Sequence, residues 1–239
     1  MILTMNVDLE TYNKVFNNHI INLNRVLSNA DALSNKTGIR TLVDVGGGCG
    51  GVSEPFRTMY DKVYIIDTDA VPHNEENAEY LNADMRDMYW LFDKETVDVF
   101  LFHASMHHCP DDLYMLFQDM YRMLKNGGRI IIMEPNRYHP FAWVIRHLCE
   151  SEMHDEEERP FTLHMLHKYV KNDMWTVKEE YFFHLFTYLI PWFIPKLNVR
   201  AQQIIKKMLN VLICADEFLM KNRIFQPFCG YMMVVLQKK

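Results

Sequence analysis

Apolar side chains recur at helical spacing between Asp8 and Asn35. There Val15, Ile20, Ile21, Leu23, Val26, Leu27 and Leu33 predict one or two amphipathic helices. The period then changes. Short runs of aliphatic and β-branched residues at Thr41–Val45, Lys62–Asp67, Val97–His103 and Arg129–Glu134 predict strands, with a shorter one at Leu81–Asp84. Between the last two long runs, Asp111–Leu124 reads as a helix that Lys125-Asn126-Gly127-Gly128 brings to a stop. Strands alternating with helices predict an α/β fold built on a doubly wound, mostly parallel sheet.

After Pro135 the pattern loosens. Residues 137–160 read as a helical or irregular insert ending in the acids Asp155-Glu156-Glu157-Glu158, a solvated run. Phe161-Thr162 caps a helix reaching about Asn172, Trp175–Phe183 has strand character, and Gly230–Leu236 is a closing strand. Roughly 45 aromatic-rich residues separate those two strands, far more than a hairpin turn needs, so they form an elaboration. The expected organisation is a single domain. It has a helical cap over 1–38, a core over 39–136, a lid with helical insertions over 137–228, and the closing strand over 229–239.

Composition narrows the classes. Hydrophobic residues at 49% and charged residues at 23% describe an ordinary globular chain. A net charge of −6 argues against a dedicated binder of nucleic-acid backbones, so no nucleic-acid partner is expected. Five cysteines, odd in number and without a CxxC pair, form neither a disulfide framework nor a zinc ribbon. The start of the chain lacks the basic region and apolar run of a signal peptide. The longest nearly uncharged stretch, Tyr181–Ile194, is shorter than the ~20 residues of a membrane span and contains Pro191. These features together predict a cytoplasmic protein.

The candidate chemistry begins at Asp44-Val45-Gly46-Gly47-Gly48-Cys49-Gly50-Gly51, directly after the first strand. Glycines there let backbone approach a ligand, and a helix behind them would offer unpaired N–H groups. The segment fits two templates. Gly46, Gly48 and Gly51 match GxGxxG for a dinucleotide, with Asp67 as the ribose acid. Asp44, Gly46, Gly48 and Gly50 match DxGxGxG for S-adenosylmethionine. Asp44 decides between them: an anion is poorly placed beside a pyrophosphate but attracts the ammonium of a methionine moiety. Helices before the first strand, and a further acid at Asp84 suited to an adenine amino group, point the same way. Asp67 would accept from both ribose hydroxyls, since a carboxylate serves two donors. Asp69 competes for that role, but Asp67 directly ends the apolar run.

With these motifs in order, the chain resembles the class I S-adenosylmethionine-dependent methyltransferases, in their small-molecule type 11 and type 12 domain group. The matching pieces are LVDVGGGCGG, VYIIDTD, ADMRDMYW, VDVFLFHASMHHCPD, MYRMLKNGGRIIIMEPN and GYMMVVL, dense from about residue 40 to 136 and sparse beyond. The resemblance implies a Rossmann-like sheet with an antiparallel C-terminal strand. It implies S-adenosylmethionine as cofactor, with S-adenosylhomocysteine as product, held by Asp44, Gly46, Gly48, Gly50, Asp67 and Thr68. Asp84 would bind the adenine, Met85 would pack on its ring, and His103 would lie beside the sulfonium.

His103, His107, His108 and Cys109 fall within seven residues, but no second cluster with zinc spacing accompanies them, so no metal is expected. Following the fourth strand, His107 and His108 are candidates to orient or deprotonate an acceptor. They are equally readable as loop histidines packed beside the cofactor. Glu134 ends the fifth strand at the same ligand-bearing edge. Tyr138, Phe141, Trp143, Tyr181, Phe182, Phe183, Phe186, Tyr188, Trp192 and Phe193 suit a lid over a small hydrophobic or aromatic acceptor, methylated at O or N, although core packing uses the same side chains. The alternatives are a macromolecular or lipid-linked acceptor and a non-catalytic cofactor-binding module. Residues 182–207, with Arg200, Lys206 and Lys207, would make a peripheral membrane contact on the lipid-linked reading. The sequence carries no sign of an oligomeric state.

Overall fold

The computed structural model describes residues 8–31, 38–72, 77–140, 161–170 and 173–239, apart from the side chains of 29–31 and 192. Leu33, Phe141, Trp143, the run Asp155–Glu158 and the side chain of Trp192 therefore lie outside the described part. In chain order the elements are α1 (Leu9–Asp31), β1 (Thr41–Val45), β2 (Lys62–Asp67), β3 (Glu79–Asn82), β4 (Val97–His103), α2 (Leu113–Met123), β5 (Leu124–Pro135), α3 (Leu163–Val170), β6 (Trp175–Phe183), α4 (Val199–Met220) and β7 (Tyr231–Lys238). They divide into two compact units. One comprises the described residues of Asn24–Pro135, Glu152–Tyr181 and Met232–Lys239; the other comprises those of Met1–Leu23, Asn136–Ser151 and Phe182–Tyr231.

The first unit carries most of a seven-stranded sheet of order β3-β2-β1-β4-β5-β7-β6. Strand β1 pairs in parallel with β2 and β4, β2 with β3, and β4 with β5, while the C-terminal strands are antiparallel. The apolar runs become central strands because a parallel sheet is covered on both faces. All five residues of β1 are buried, as are Phe100, Leu101 and Phe102 of β4 and Ile130–Met133 of β5. Thr162 Oγ1 accepts from Met165 N (3.1 Å) and caps α3 as its sequence suggests. Phe117 of α2 then stacks on Tyr169 of α3, with ring centroids 6.1 Å apart.

Three local readings need correction. Gly127 and Gly128 do not stop α2, because Leu124 is already extended and buried in β5. Pairing jumps from Val97↔Leu124 to Val99↔Arg129, and Gly127, at φ +76°, absorbs the extra residues as a bulge. Lys125 fixes this corner by donating to Asp98 Oδ2 (2.7 Å) and the Ile39 carbonyl (2.6 Å). No α-helix follows the glycine loop; a six-residue 3-10 turn, Glu54–Met59, stands there instead. Strand β3 begins at Glu79, ahead of the predicted Leu81, and ends at Asn82 because Asp84 is used as a cap.

The second unit is organised by a buried carboxylate. Asp216 on α4, 2% exposed, accepts from Phe186 N (2.9 Å), Thr187 N (2.8 Å) and Thr187 Oγ1 (2.5 Å). Nearby, His184 Nε2 meets His19 Nε2 at 3.0 Å, within a ring cluster that includes Phe16, Tyr188 and Tyr231. Burial pushes the His184 imidazole down to about 3, so it is neutral at physiological pH. Removing Asp216 takes away the acceptor of the Phe186 and Thr187 backbone N–H groups. Asp216→Ala is therefore expected to destabilise the chain by about 3 kcal/mol, read as a lowered urea midpoint. An unchanged midpoint would refute the clamp.

Candidate active site

Each site residue is delivered to the C-terminal edge of the parallel strands. Strand β1 ends in Asp44 and Val45, β2 in Asp67, β4 in His103, and β5 in Glu134 and Pro135. Asp44 is 1% exposed, and among the described residues neither of its carboxylate oxygens has a hydrogen-bond partner. The nearby Ser53 hydroxyl eases its ionisation, although that hydroxyl's directed bond goes to the Gly50 carbonyl (3.3 Å). Burial pushes the Asp44 carboxyl from 3.8 up to about 6; Ser53 and Arg57 oppose the rise and Asp67 adds to it. A buried carboxylate with both oxygens uncommitted is the counterpart that an ammonium would complete. On that observation the residues present fit S-adenosylmethionine.

The glycines divide into two kinds. Gly46, at φ +68°, sits where an added Cβ would lie 2.3 Å from Ser105 Cβ. Gly50, at φ +75°, is crowded in the same way by Ile65, Arg57 and Tyr80. These positions are glycine because protein packs against them. Gly48 is also left-handed, at φ +55°, but an added Cβ would meet only Asp67 Oδ2, at 3.9 Å. It is the left-handed glycine of the loop with room beside it, and so the place where a ligand can approach backbone.

Asp67 is tied into this loop: Oδ2 accepts from Gly48 N (2.8 Å) and Oδ1 from Asp69 N (3.0 Å). Each oxygen keeps a further lone pair for a hydroxyl. Asp69 is exposed and turns on Asp67 through its backbone, and Thr68 is likewise exposed. Asp84 caps the 3-10 turn Met85–Trp90, accepting from Arg86 N (2.8 Å), and Arg86 Nε and Nη2 grip the same carboxylate at 2.9 and 2.5 Å. That guanidinium holds the Asp84 carboxyl below its usual range. Met85 is half-buried at the start of the turn.

The loop after β4 is held from two sides. Glu134, with no exposed surface, accepts from Ser105 N (3.0 Å) and Met106 N (2.7 Å) through Oε1, and its Oε2 lies 2.7 Å from His107 Nδ1. Ser105 Oγ donates to the Val45 carbonyl (2.6 Å), joining this loop to the glycine turn. His107 is thus buried and oriented, whereas His108 is exposed, its ring 4.3 Å from that of His107. Burial lowers the His103 imidazole below its ordinary value, with Glu134 opposing. Among the described residues no group of His, Cys, Asp and Glu has the arrangement of a metal site.

The structure thus gathers Asp44, Gly46, Gly48, Gly50 and Asp67 at one turn, and His103 and His107 around Glu134. Sequence reasoning missed Ser105, whose only signal is a small polar residue two positions past the strand. It also missed Arg57, 3% exposed, which donates to the Gly50 carbonyl (3.0 Å) and the Tyr80 hydroxyl (3.1 Å). Nothing in its local sequence marks it.

Residues 43–132 match the family model described as a methyltransferase domain. The chain is 29% identical over 134 residues to (iso)eugenol O-methyltransferase of Clarkia breweri, an alignment covering 52% of this chain. It spans about a third (34%) of that enzyme's length. In fold it is similar to a SAM-dependent methyltransferase from Archaeoglobus fulgidus, with TM-score 0.58, 15% identity, and 95% of this chain and 97% of that one covered. It is also similar to the Haemonchus contortus phospholethanolamine N-methyltransferase 2 in complex with phosphomonomethylethanolamine and S-adenosylhomocysteine. There the TM-score is 0.55 at 14% identity, over 90% of this chain and 52% of that one. Residues 43–132 thus carry a methyltransferase domain, and the chain as a whole has the Rossmann-like fold of the S-adenosylmethionine-dependent methyltransferases it is similar to.

Asp44 yields a test that separates binding from folding. At neutral pH its raised pKa penalises the ionised, empty site by about 3 kcal/mol. Because the folded pKa lies above the unfolded one, this penalty is absent below pH 3.8 and complete above about 6. Asp44→Asn is expected to raise the melting temperature of the ligand-free chain at pH 7.5 and to weaken S-adenosylmethionine binding at least a hundredfold by calorimetry. The stability gain should vanish at pH 4. A variant that binds the cofactor normally would remove Asp44 from the site.

Proposed function

We propose that the chain transfers a methyl group from S-adenosylmethionine to an oxygen or nitrogen of a small, hydrophobic or aromatic acceptor. The observation that carries this reading is the pairing of His107 with Glu134. The bound cofactor supplies an electrophilic methyl group on a sulfonium. The protein must then hold the acceptor in line at about 3–3.5 Å, in a dry site. Asp44 would hold the ammonium, the loop at Gly48 would admit the ligand to backbone contact, and Asp67 would accept from the ribose. Asp84 and Met85 would flank the adenine, with Arg86 sharing the Asp84 carboxylate.

For a phenol or alcohol the acceptor proton must also leave. Glu134 fixes His107 Nδ1, so the imidazole is held in one orientation and a proton gained at Nε2 would be stabilised by the buried carboxylate. The similarity to an O-methyltransferase over half the chain supports an oxygen acceptor. His107→Gln is expected to lower the turnover of phenolic acceptors by roughly a hundredfold or more while leaving the Kd for S-adenosylmethionine unchanged. His108→Gln should change it little, since His108 is exposed. Cofactor binding with no transfer to phenols, alcohols, carboxylic acids or amines would favour the non-catalytic module.

A lipid-linked acceptor at a membrane surface is a second reading, favoured by one observation. Ile204, Met208, Val211 and Phe218 follow one face of α4 and are 51%, 49%, 66% and 73% exposed, with Arg200 and Lys207 also exposed on the helix. Phe193 and Phe186 in the preceding aromatic stretch are likewise open to solvent, whereas Phe183 and Leu185 are core. Lys206 is committed to Asp8 (2.6 Å). An amphipathic face of this kind suits an interface. Among the described residues no helix is long and apolar enough to cross a membrane. Phe193→Glu and Val211→Glu are expected to reduce co-sedimentation with anionic liposomes; unchanged sedimentation would end this reading.

A further inference from the structure

The opposite edge of the sheet, where the parallel strands begin, carries a half-open cavity of about 820 Å³ that none of the residues discussed above as cofactor or catalytic groups lines. This is the volume of an ordinary small-molecule site. Tyr60, Lys62, Tyr64, Phe92, Lys125 and Arg129 are among its walls. All of them belong to the sheet-bearing unit.

Arg129 is the unusual member. It is 5% exposed, yet it makes no ion pair among the described residues. A guanidinium carries five N–H donors. Here one of them, on Nη1, reaches the Val26 carbonyl at a long 3.4 Å, and the buried Nε has no partner among the described residues. Burial depresses its ordinary pKa, with Tyr60 opposing. A buried cation left in this state is costly unless a partner completes it.

The acids around the cavity do not answer that need. Asp98 accepts from Lys125 Nζ (2.7 Å) and Thr41 N (2.7 Å). Glu95 lies 3.7 Å from Lys238 and 3.9 Å from Lys94, and Asp93 is exposed without approaching Arg129 closely enough to pair. Lys62, a second cation on the wall, has no ion pair among the described residues. Tyr60, Tyr64 and Phe92 add aromatic surface, the last two meeting edge to face at 5.2 Å. We propose that this cavity binds a small organic anion, its phosphate or carboxylate group paired with the Arg129 guanidinium and its apolar or aromatic body among Tyr60, Tyr64 and Phe92. The planar fork of arginine matches either group through two parallel hydrogen bonds.

The experiment titrates the full chain with phenyl phosphate, benzoate and inorganic phosphate by calorimetry, and follows the Arg129 Nε–H resonance by NMR. Saturable one-to-one binding of phenyl phosphate or benzoate is expected, tighter than that of inorganic phosphate, with movement of the Arg129 resonance. Whichever of the two organic anions binds more tightly identifies phosphate or carboxylate as the preferred group. Arg129→Met should weaken binding at least tenfold and leave S-adenosylmethionine binding intact. Its melting temperature should not fall, since an unpaired buried charge is removed. No saturable binding of the three probes to the native chain would overturn the proposal. So would binding that leaves the Arg129 resonance still, a reading that holds even if the variant does not fold.

Discussion

Glu134 is the anchor on which the C-terminal edge of the parallel strands depends. With no exposed surface, it would be untenable as a lone charge, so its two oxygens must find donors. They find Ser105 and Met106 backbone N–H groups and the His107 ring, which fixes the whole turn after β4. Ser105 passes that order on. Its hydroxyl reaches the Val45 carbonyl, and its Cβ occupies the space that any side chain at position 46 would need. The end of β5 thereby shapes the glycine loop after β1 through one intermediate turn. A carboxylate at the end of one strand thus sets the geometry of two loops that share no sequence with it.

Such a chain of contacts separates what the sequence reveals from what it conceals. Strands β1, β2 and β4 were legible with their observed bounds because parallel strands covered on both faces demand apolar runs, and the antiparallel β6 because its Trp, Thr, Val, Tyr and Phe are strand formers. The acids at their ends were legible because they interrupt those runs. The start of β5 was not, since glycines that stop a helix and glycines that form a bulge look alike until a partner strand fixes the register. Nor was the reason for each glycine. Gly46 and Gly50 answer to Ser105, Arg57 and Tyr80, residues up to 59 positions away in the chain. Asp84 likewise had an evident place at a strand end, but its grip by Arg86 depends on the turn that follows.

The two edges of the sheet also differ in the sign of the unmet charge they hold. Among the described residues, Asp44 at the C-terminal edge is an anion without a hydrogen bond and Arg129 at the N-terminal edge is a cation without an ion pair. Both are nearly free of solvent. Natural cores seldom retain such groups unless something else satisfies them.

On the role proposed for Asp44, its burial would link protein lifetime to cofactor supply. A ligand that binds only the folded chain stabilises it in proportion to the logarithm of its concentration over Kd. Where the empty site is itself strained, the unliganded molecules are the ones that open most often. Proteases act on opened molecules. Scarcity of methyl donor would therefore shorten the residence of this chain in the cell as well as slow its chemistry, and abundance would preserve it.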